Sequence, residues 1–452
     1  MKPQVFATVT LVTAFGLAMA ARPQTPPPQS QQPTDISTTI SGEPGTAPRF
    51  AVPPFIALSS DAETAAIART IADVLWDDLN FEHEFAFIPR DVYATIPAAK
   101  SFEDVPFDRW RELNADGVVV GTVQKVGNGF QIQVRLFDVR NKKQVFGKEY
   151  SGSSNARLYA HTISDDVHLQ QRALRGVART KLAFDSDRDG ERMTGTVESR
   201  GVKEIYTSDY DGENQRRVTT NRTLNINPAW SPDARSLAYT SYRRGPPSIF
   251  ISHIYEGTLE DVTKSAGESW LPAWSPDGTR LAFTSTRDGN SEIYVVNRDG
   301  SSVRRLTNHP GIDSTPTWSP TGTQIAFTSD RSGSPQIYLV AADGLGPVQR
   351  LTSESYADRP TWSPAPYNEI AFASRNGPGF DIKIIDVGSR QVKQLTFGEG
   401  SNESPSYAPN GKHIAFMSTR AGKAQIFTIT RDGRNLKQVT RTGNNYQPDW
   451  SR

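Results

Sequence analysis

From Trp230 to the end of the chain, short apolar runs alternate with polar ones in a wording that recurs: P-x-W-S-P-D-G, then I-A-F-x-S-x-R, then I-Y, then D-G, then L-T. The anchors Trp230, Trp274, Trp318, Trp362, Tyr407 and Trp450 are spaced 44, 44, 44, 45 and 43 residues apart. Four strand-like pieces per unit at that period predict an all-β propeller. The first unit starts at Leu182-Ala183-Phe184 and lacks its own P-x-W-S, which stands at the other end of the chain as Pro448-Asp449-Trp450-Ser451. The arrangement predicts a six-bladed ring over 179–452, closed by the C-terminal strand, so that no blade keeps an open edge.

The pattern changes before residue 179. Residues 49–178 mix strand and helix periods and predict an α/β domain, one sheet with helices packed on a face. Phe50-Ala51-Val52 reads as a strand. Ser60-x-x-Glu63 reads as a capping box opening a helix with Ile67, Ile71, Val74, Leu75 and Leu79 on one side. Gly127-Asn128-Gly129 reads as a hairpin turn between two strands, and a further helix is expected from Leu158 to about Gln171. Residues 21–48 are rich in Pro and Gln without apolar periodicity and predict an extended linker. Within it, Asp35, Ile36, Ser37, Thr38, Thr39 and Ile40 are polar and β-branched; the segment either pairs as a strand with a sheet edge or is an unstructured tether. Residues 1–20 read as a signal peptide: Lys2, an apolar run from Val5 to Ala18, and cleavage near Ala20 after Ala18-Met19-Ala20.

Composition narrows the function. With 50 basic and 49 acidic residues the chain offers no general case for nucleic acid. It has no cysteine, so neither disulfides nor a cysteine-linked lipid is available to an exported chain. No P-loop, G-x-S-x-G or H-E-x-x-H spelling occurs. Asp185-x-Asp187-x-Asp189-Gly190 resembles a calcium loop, but the twelfth position holds Thr196, and the segment aligns with a blade hairpin. No enzyme activity, cofactor or metal is expected. The arginine recurring once per blade (Arg188, Arg243, Arg287, Arg331, Arg375, Arg420) is expected to bond loop carbonyls or to stack on an aromatic ring.

A ring usually binds on its loops. The segments leading into the P-x-W pieces differ from unit to unit: Glu268-Ser269-Trp270, Asp313-Ser314, Asp358-Arg359, Asn402-Glu403 and Asn445-Tyr446. They are read as loops crowding one channel mouth, with Trp270 and Tyr446 as aromatic anchors.

Specific strings resemble the TolB family of the Tol–Pal envelope system. They are Ser208-Asp209-Tyr210-Asp211-Gly212-Glu213-Asn214-Gln215, Trp110-Arg111 with Ala115-Asp116 and Val119-Val120-Gly121, Ala51-Val52-Pro53-Pro54-Phe55, and Ala160-His161-x-Ile163-x-Asp165. The resemblance implies a monomeric periplasmic scaffold that links Pal, the peptidoglycan-associated lipoprotein of the outer membrane, to the inner-membrane Tol complex. It also implies roles in outer-membrane integrity and in constriction during division. The segments before P-x-W would then face Pal, and Asp35–Ile40 would pair with TolA. The alternatives are a secreted propeller hydrolase and a sugar- or peptide-binding propeller without a Tol role.

Overall fold

The computed structural model describes residues 39–42, 45–193, 201–264 and 267–452. The signal-peptide reading and Asp35, Ile36, Ser37 and Thr38 lie outside the described residues. Among the described residues no helix is long and apolar enough to cross a membrane.

The small domain is built from β1 (Arg49–Ala51), β2 (Ile56–Ala57), α1 (Ala62–Phe81), β3 (Ala86–Phe87), α2 (Phe107–Glu112), β4 (Gly117–Val126), β5 (Gly129–Asp138), β6 (Lys143–Ser153) and α3 (Ala156–Arg172). Its sheet runs β3-β1-β4-β5-β6, with β2 beside β4. β1 is parallel to both β3 and β4, whereas β4, β5 and β6 are antiparallel neighbours. Helices cover both faces of this sheet rather than the single face expected. The reason is in β4. Val119 and Val123 point toward α1 and α3, while Val118 and Val120 point toward Trp110 of α2, and all four are buried. A strand apolar on both sides requires cover on both. Gly121 in the same strand is obligatory, since a Cβ there would stand 2.1 Å from the Phe55 ring. The cap of α1 is Asp61, not Ser60: its carboxylate accepts the Thr64 N–H at 2.8 Å, a stronger acceptor than a hydroxyl for an orphan first-turn donor. Ile40 is buried against this domain and its N–H donates to Gln171 Oε1 at 2.9 Å, so the end of the linker is tied down rather than extended away.

Among the described residues the ring consists of six four-stranded sheets. The last strand, Asn445–Trp450, pairs antiparallel with β7 (Lys181–Ser186), with Trp450 opposite Leu182, and β8 (Glu204–Asp209) follows β7. Cores form between blades: Ala238, Ile249 and Ile251 of one sheet pack with Trp274, Phe283 and Tyr294 of the next. Trp274 and Trp318 donate their indole N–H at 3.1 Å to Ala229 and Ala273 of the preceding blade. The recurring L-T also has a cause. Thr219, Thr263, Thr307, Thr352, Thr396 and Thr440 each accept the N–H of the buried Ile in I-Y, at 2.8–3.0 Å, satisfying a donor the short outer strand cannot reach. Each of the six recurrent arginines lies over an aromatic ring of its blade region, 4.4 Å to the Tyr206 centroid for Arg188 and 5.1 Å to Tyr338 for Arg331.

Candidate functional site: the channel mouth

The innermost strand of each blade ends at the anchor aromatic and begins five residues earlier. The segments expected to be loops are therefore mostly strand. Glu268 alone of that set precedes its strand, and it is exposed. The first strand positions, among them Ser269, Asp313, Asn402 and Asn445, are completely buried. Most of their polar atoms are bonded within the scaffold. Asp313 Oδ2 accepts from Arg331 at 2.6 Å, Asn402 Oδ1 from Arg420 at 3.0 Å and Asn445 Oδ1 from Arg188 at 2.6 Å, while Ser269 Oγ donates to Ser285 Oγ at 3.2 Å. These four hold the recurrent arginines or the neighbouring strand and are buried away from solvent.

The second positions differ in kind: Ile226, Trp270, Ser314, Asp358, Glu403 and Tyr446, all half-buried at one end of the channel. The third positions, Asn227, Leu271, Thr315, Arg359, Ser404 and Gln447, share a feature that sequence reading missed. All six have a left-handed backbone, with φ of 50–56°. The ladder to the second strand slips at this point in every blade. The following residue is always proline, which has no N–H to continue the ladder, and the bulge turns the backbone into the channel. For non-glycine residues such a conformation costs about 1–2 kcal/mol each. Repeated six times around one axis, this left-handed turn singles the mouth out as the candidate surface. The signal was present in the sequence: each of these residues stands three before an anchor aromatic and directly before proline.

The channel, about 210 Å³, is lined by these six residues, by the six prolines and by the position before each anchor aromatic. That last position links blades: Trp230 N–H donates to Asp449 Oδ2 at 2.6 Å and Trp450 N–H to Ser406 Oγ at 3.0 Å. Burial pushes the Asp449 carboxyl up to about 6, against the Trp230 N–H and Ser406, which favour the charge.

Around the mouth the order is Ile226, Trp270, Ser314, Asp358, Glu403 and Tyr446, so the two acids are neighbours and the two aromatics flank Ile226. Asp358 Oδ1 accepts from Thr328 Oγ1 at 2.9 Å and from the Arg359 N–H at 2.7 Å. Glu403 accepts from Ser401 Oγ at 2.7 Å, and Trp270 donates to Tyr242 at 3.3 Å. Lys203 Nζ lies 3.5 Å from the Tyr446 ring centroid and 3.0 Å from Asp185 Oδ2. Burial raises Asp185 to about 6 despite Lys203 and Arg359. The three carboxylates of the calcium-like string go separate ways, Asp185 to Lys203, Asp187 to Asn444 and Asp189 to Tyr206. Among the described residues no cluster suited to a metal ion is present.

The small domain docks at the other end of the ring, where the inner strands finish. Asn410, Lys412 and His413, in and after the turn following Tyr407, meet Glu82, Glu84 and the Phe81 carbonyl. Among the described residues, the small domain's hydrogen bonds to the ring lie at that end and not at the mouth. Of the segment Asp35–Ile40, only Thr39, exposed, and Ile40, buried on the small domain, are described.

A family model described as TolB beta propeller domain matches residues 172–452, and one described as TolB amino-terminal domain matches 37–145. A protein of Desulfosudis oleivorans named Tol-Pal system protein TolB is 37% identical over 210 residues, 46% of this chain and 45% of its own. A protein of the same name from Alkalilimnicola ehrlichii is 35% identical over 243 residues, 53% of each chain. The chain thus spans about half the length of the curated relatives it matches. The crystal structure of TolB from Acinetobacter baumannii superposes with a TM-score of 0.76 at 27% identity, over 90% of this chain and 97% of that one. With both family models matching in order and the propeller model covering more than half of the sequence, the chain belongs to the TolB family.

Proposed function

We propose that the protein is a periplasmic component of a Tol–Pal system whose ring binds an outer-membrane, peptidoglycan-associated lipoprotein and whose N-terminal segment, Asp35–Ile40, engages a TolA-like inner-membrane protein. The work done is reversible protein–protein binding without bond chemistry, in support of outer-membrane integrity and constriction during division. The observation that carries the reading is the ring's mouth: among the described residues the inner strands present six unlike second-position side chains at the end opposite the small domain's contacts. The names of the relatives support the choice of system. Rigid scaffolds with half-buried aromatics beside charges suit tight, specific protein partners. Within the mouth, Trp270, Asp358, Arg359, Glu403 and Tyr446 are proposed to touch the lipoprotein, with Leu271, Thr315 and Gln447 beside them. The test is a binding titration of the purified exported chain against the soluble domain of the peptidoglycan-associated lipoprotein from the same cell. Tyr446→Ala and Trp270→Ala should each weaken binding by at least tenfold, while Ser269→Ala should leave it nearly unchanged. Absence of saturable binding by the unaltered chain would reject the reading.

A further inference from the structure

In the small domain the strand begun by β1 is broken at Pro53-Pro54. Neither proline donates to a ladder, so the chain leaves the side of β4 after Ala51 and regains it as β2, with Ile56 opposite Thr122. The connections around β1 run in opposite directions. The path through α1 ends in β3 on one flank of β1, and the path through α2 ends in β4 on the other, with the two helices on opposite faces of the sheet. Both flanking strands are parallel to β1. In open α/β sheets the crevice beyond the carboxyl end of such a strand, where the strand order reverses, is where ligands bind.

A cavity of about 660 Å³ lies there, within the range of about 300–1,000 Å³ that small-molecule sites occupy. Its walls are mostly apolar: Phe55 and Ile56 after the break, Ile96 after the 3-10 turn Arg90–Thr95, and Val105 and Trp110 at α2. The Tyr93 ring stands edge-on to Trp110, with centroids 5.3 Å apart. Its hydroxyl accepts the Val52 N–H, the first donor past the end of β1, at 3.0 Å, and among the described residues its own proton meets no acceptor. Three charged side chains reach the cavity, Arg69 and Asp73 from α1 and Arg90 from the 3-10 turn. Arg90 is committed: it donates to Asp77 Oδ1 at 3.1 Å, lies 3.9 Å from Asp73 and covers the Trp76 ring at 4.4 Å. Arg69 is exposed and has no ion pair or hydrogen bond among the described residues. The cavity therefore combines an apolar bed with two unspent donors, one of them carrying a full positive charge. A carboxylate satisfies donors of both kinds, and its hydrogen bond to a guanidinium is of the strong, charge-assisted type.

We propose that this crevice is a second binding site, separate from the channel mouth, for a small carboxylic acid with an aromatic or branched apolar body. The carboxylate takes the Arg69 guanidinium and the Tyr93 hydroxyl, and the body lies against Phe55, Ile96, Val105 and Trp110. Asp73, the one acid among the lining residues, faces Arg90, which offsets its opposition to an anion. The site uses no residue of the ring, so it stands or falls independently of lipoprotein binding at the mouth. Its selectivity comes from the charge: an uncharged ligand of the same shape keeps the apolar contacts but leaves Arg69 idle, and a cation is repelled by it.

The test is a nuclear magnetic resonance titration of the exported full-length chain, labelled at tryptophan indoles and isoleucine methyls, with naphthoate, naphthamide and naphthylmethylamine. Naphthoate should shift the Trp110 indole and the Ile56 and Ile96 methyls saturably, at millimolar concentration or below, and leave the Trp270 indole at the mouth unmoved. Naphthamide should bind about tenfold more weakly, and the amine no more tightly than the amide. Arg69→Ala, at an exposed position without bonds to lose, should weaken naphthoate about tenfold and leave naphthamide within about twofold. No saturable shift at Trp110, Ile56 and Ile96 with naphthoate would overturn the proposal. So would equal affinity for acid and amide, tighter binding of the amine, or unchanged naphthoate binding in Arg69→Ala.

Discussion

The ring and the junction beneath it bury comparable side chains on opposite principles. In the ring, one solution repeats six times. An Ile, Ala and aromatic strand packs on the next blade, and a Thr repeatedly satisfies a buried backbone donor, as Thr307 does for the Ile293 N–H. At the junction nothing repeats. Asp78, Glu82, His161, His168, Asp209 and His413 are all nearly enclosed, and His161 sits 2.8 Å from Asp78 and 3.6 Å from Asp209. Apolar burial holds most of the ring, with the buried carboxyls of Asp185 and Asp449 as exceptions, whereas at the junction buried titratable groups are concentrated. The difference sets a repetitive, mostly apolar core against a junction rich in buried titratable groups.

Four perturbations bear on that contrast. The largest effect is expected in the ring. Trp450→Ala removes a side chain 3% exposed, together with its bond to Thr180 at 2.7 Å, and should cost about 3–5 kcal/mol by thermal or denaturant unfolding. If Trp450→Ala leaves the melting temperature unchanged, closure by the C-terminal strand contributes nothing. Asp78→Asn comes next, at about 3 kcal/mol, because it leaves His161 short of a charge partner. Here the diagnostic is the histidine titration, which should move down from about 9. A loss of stability without that movement would reduce Asp78 to a packing role.

A third, smaller effect concerns acid. Burial, only partly opposed by the Phe81 carbonyl, lowers His413 to about 3, so its contribution is complete above about pH 6.5 and is lost as pH falls toward 3. The junction should therefore loosen on the acid side by an amount on the order of 1–2 kcal/mol after local relaxation. His413→Asn should flatten that limb of the pH–stability curve. The smallest effect tests the strained ring. Leu271→Asn places a residue that tolerates the left-handed region where the backbone already demands it, and should stabilise by about 0.5–1 kcal/mol in chemical denaturation. Destabilisation instead would show that the Leu271 side chain contributes more packing than its backbone costs.

The resemblance strings fall on both sides of this contrast. Asp209-Tyr210-Asp211 reads as a hairpin signature in one dimension. In three, Tyr210 donates to Asp78 at 2.8 Å, Asp211 pairs with Arg157, and Asp209 collects Lys181 and Asn214. Burial alone would raise the Asp209 carboxyl, but His161, Lys181 and Asn214 together keep it well below the usual carboxylate range. The string is a docking surface for α1 and α3, which explains why a turn carries so many acids.

The sequence by itself determined the period, the number of blades, the closing strand and the recurrent Arg and Thr, because each follows from local spacing and strand alternation. It also contained the ring of left-handed residues, though their common conformation is invisible without the bulge that proline imposes on every inner strand. Only the tertiary structure separated Ser269, Asp313, Asn402 and Asn445, consumed inside the blades, from Trp270, Asp358, Glu403 and Tyr446 at the mouth, because neighbours in a strand point to opposite sides. Only it brought Glu82 to Asn410 and Asp78 to Tyr210, across separations of 328 and 132 residues. A carboxyl's charge is fixed by the groups that surround it in space, and those groups come from parts of the chain that no local pattern connects.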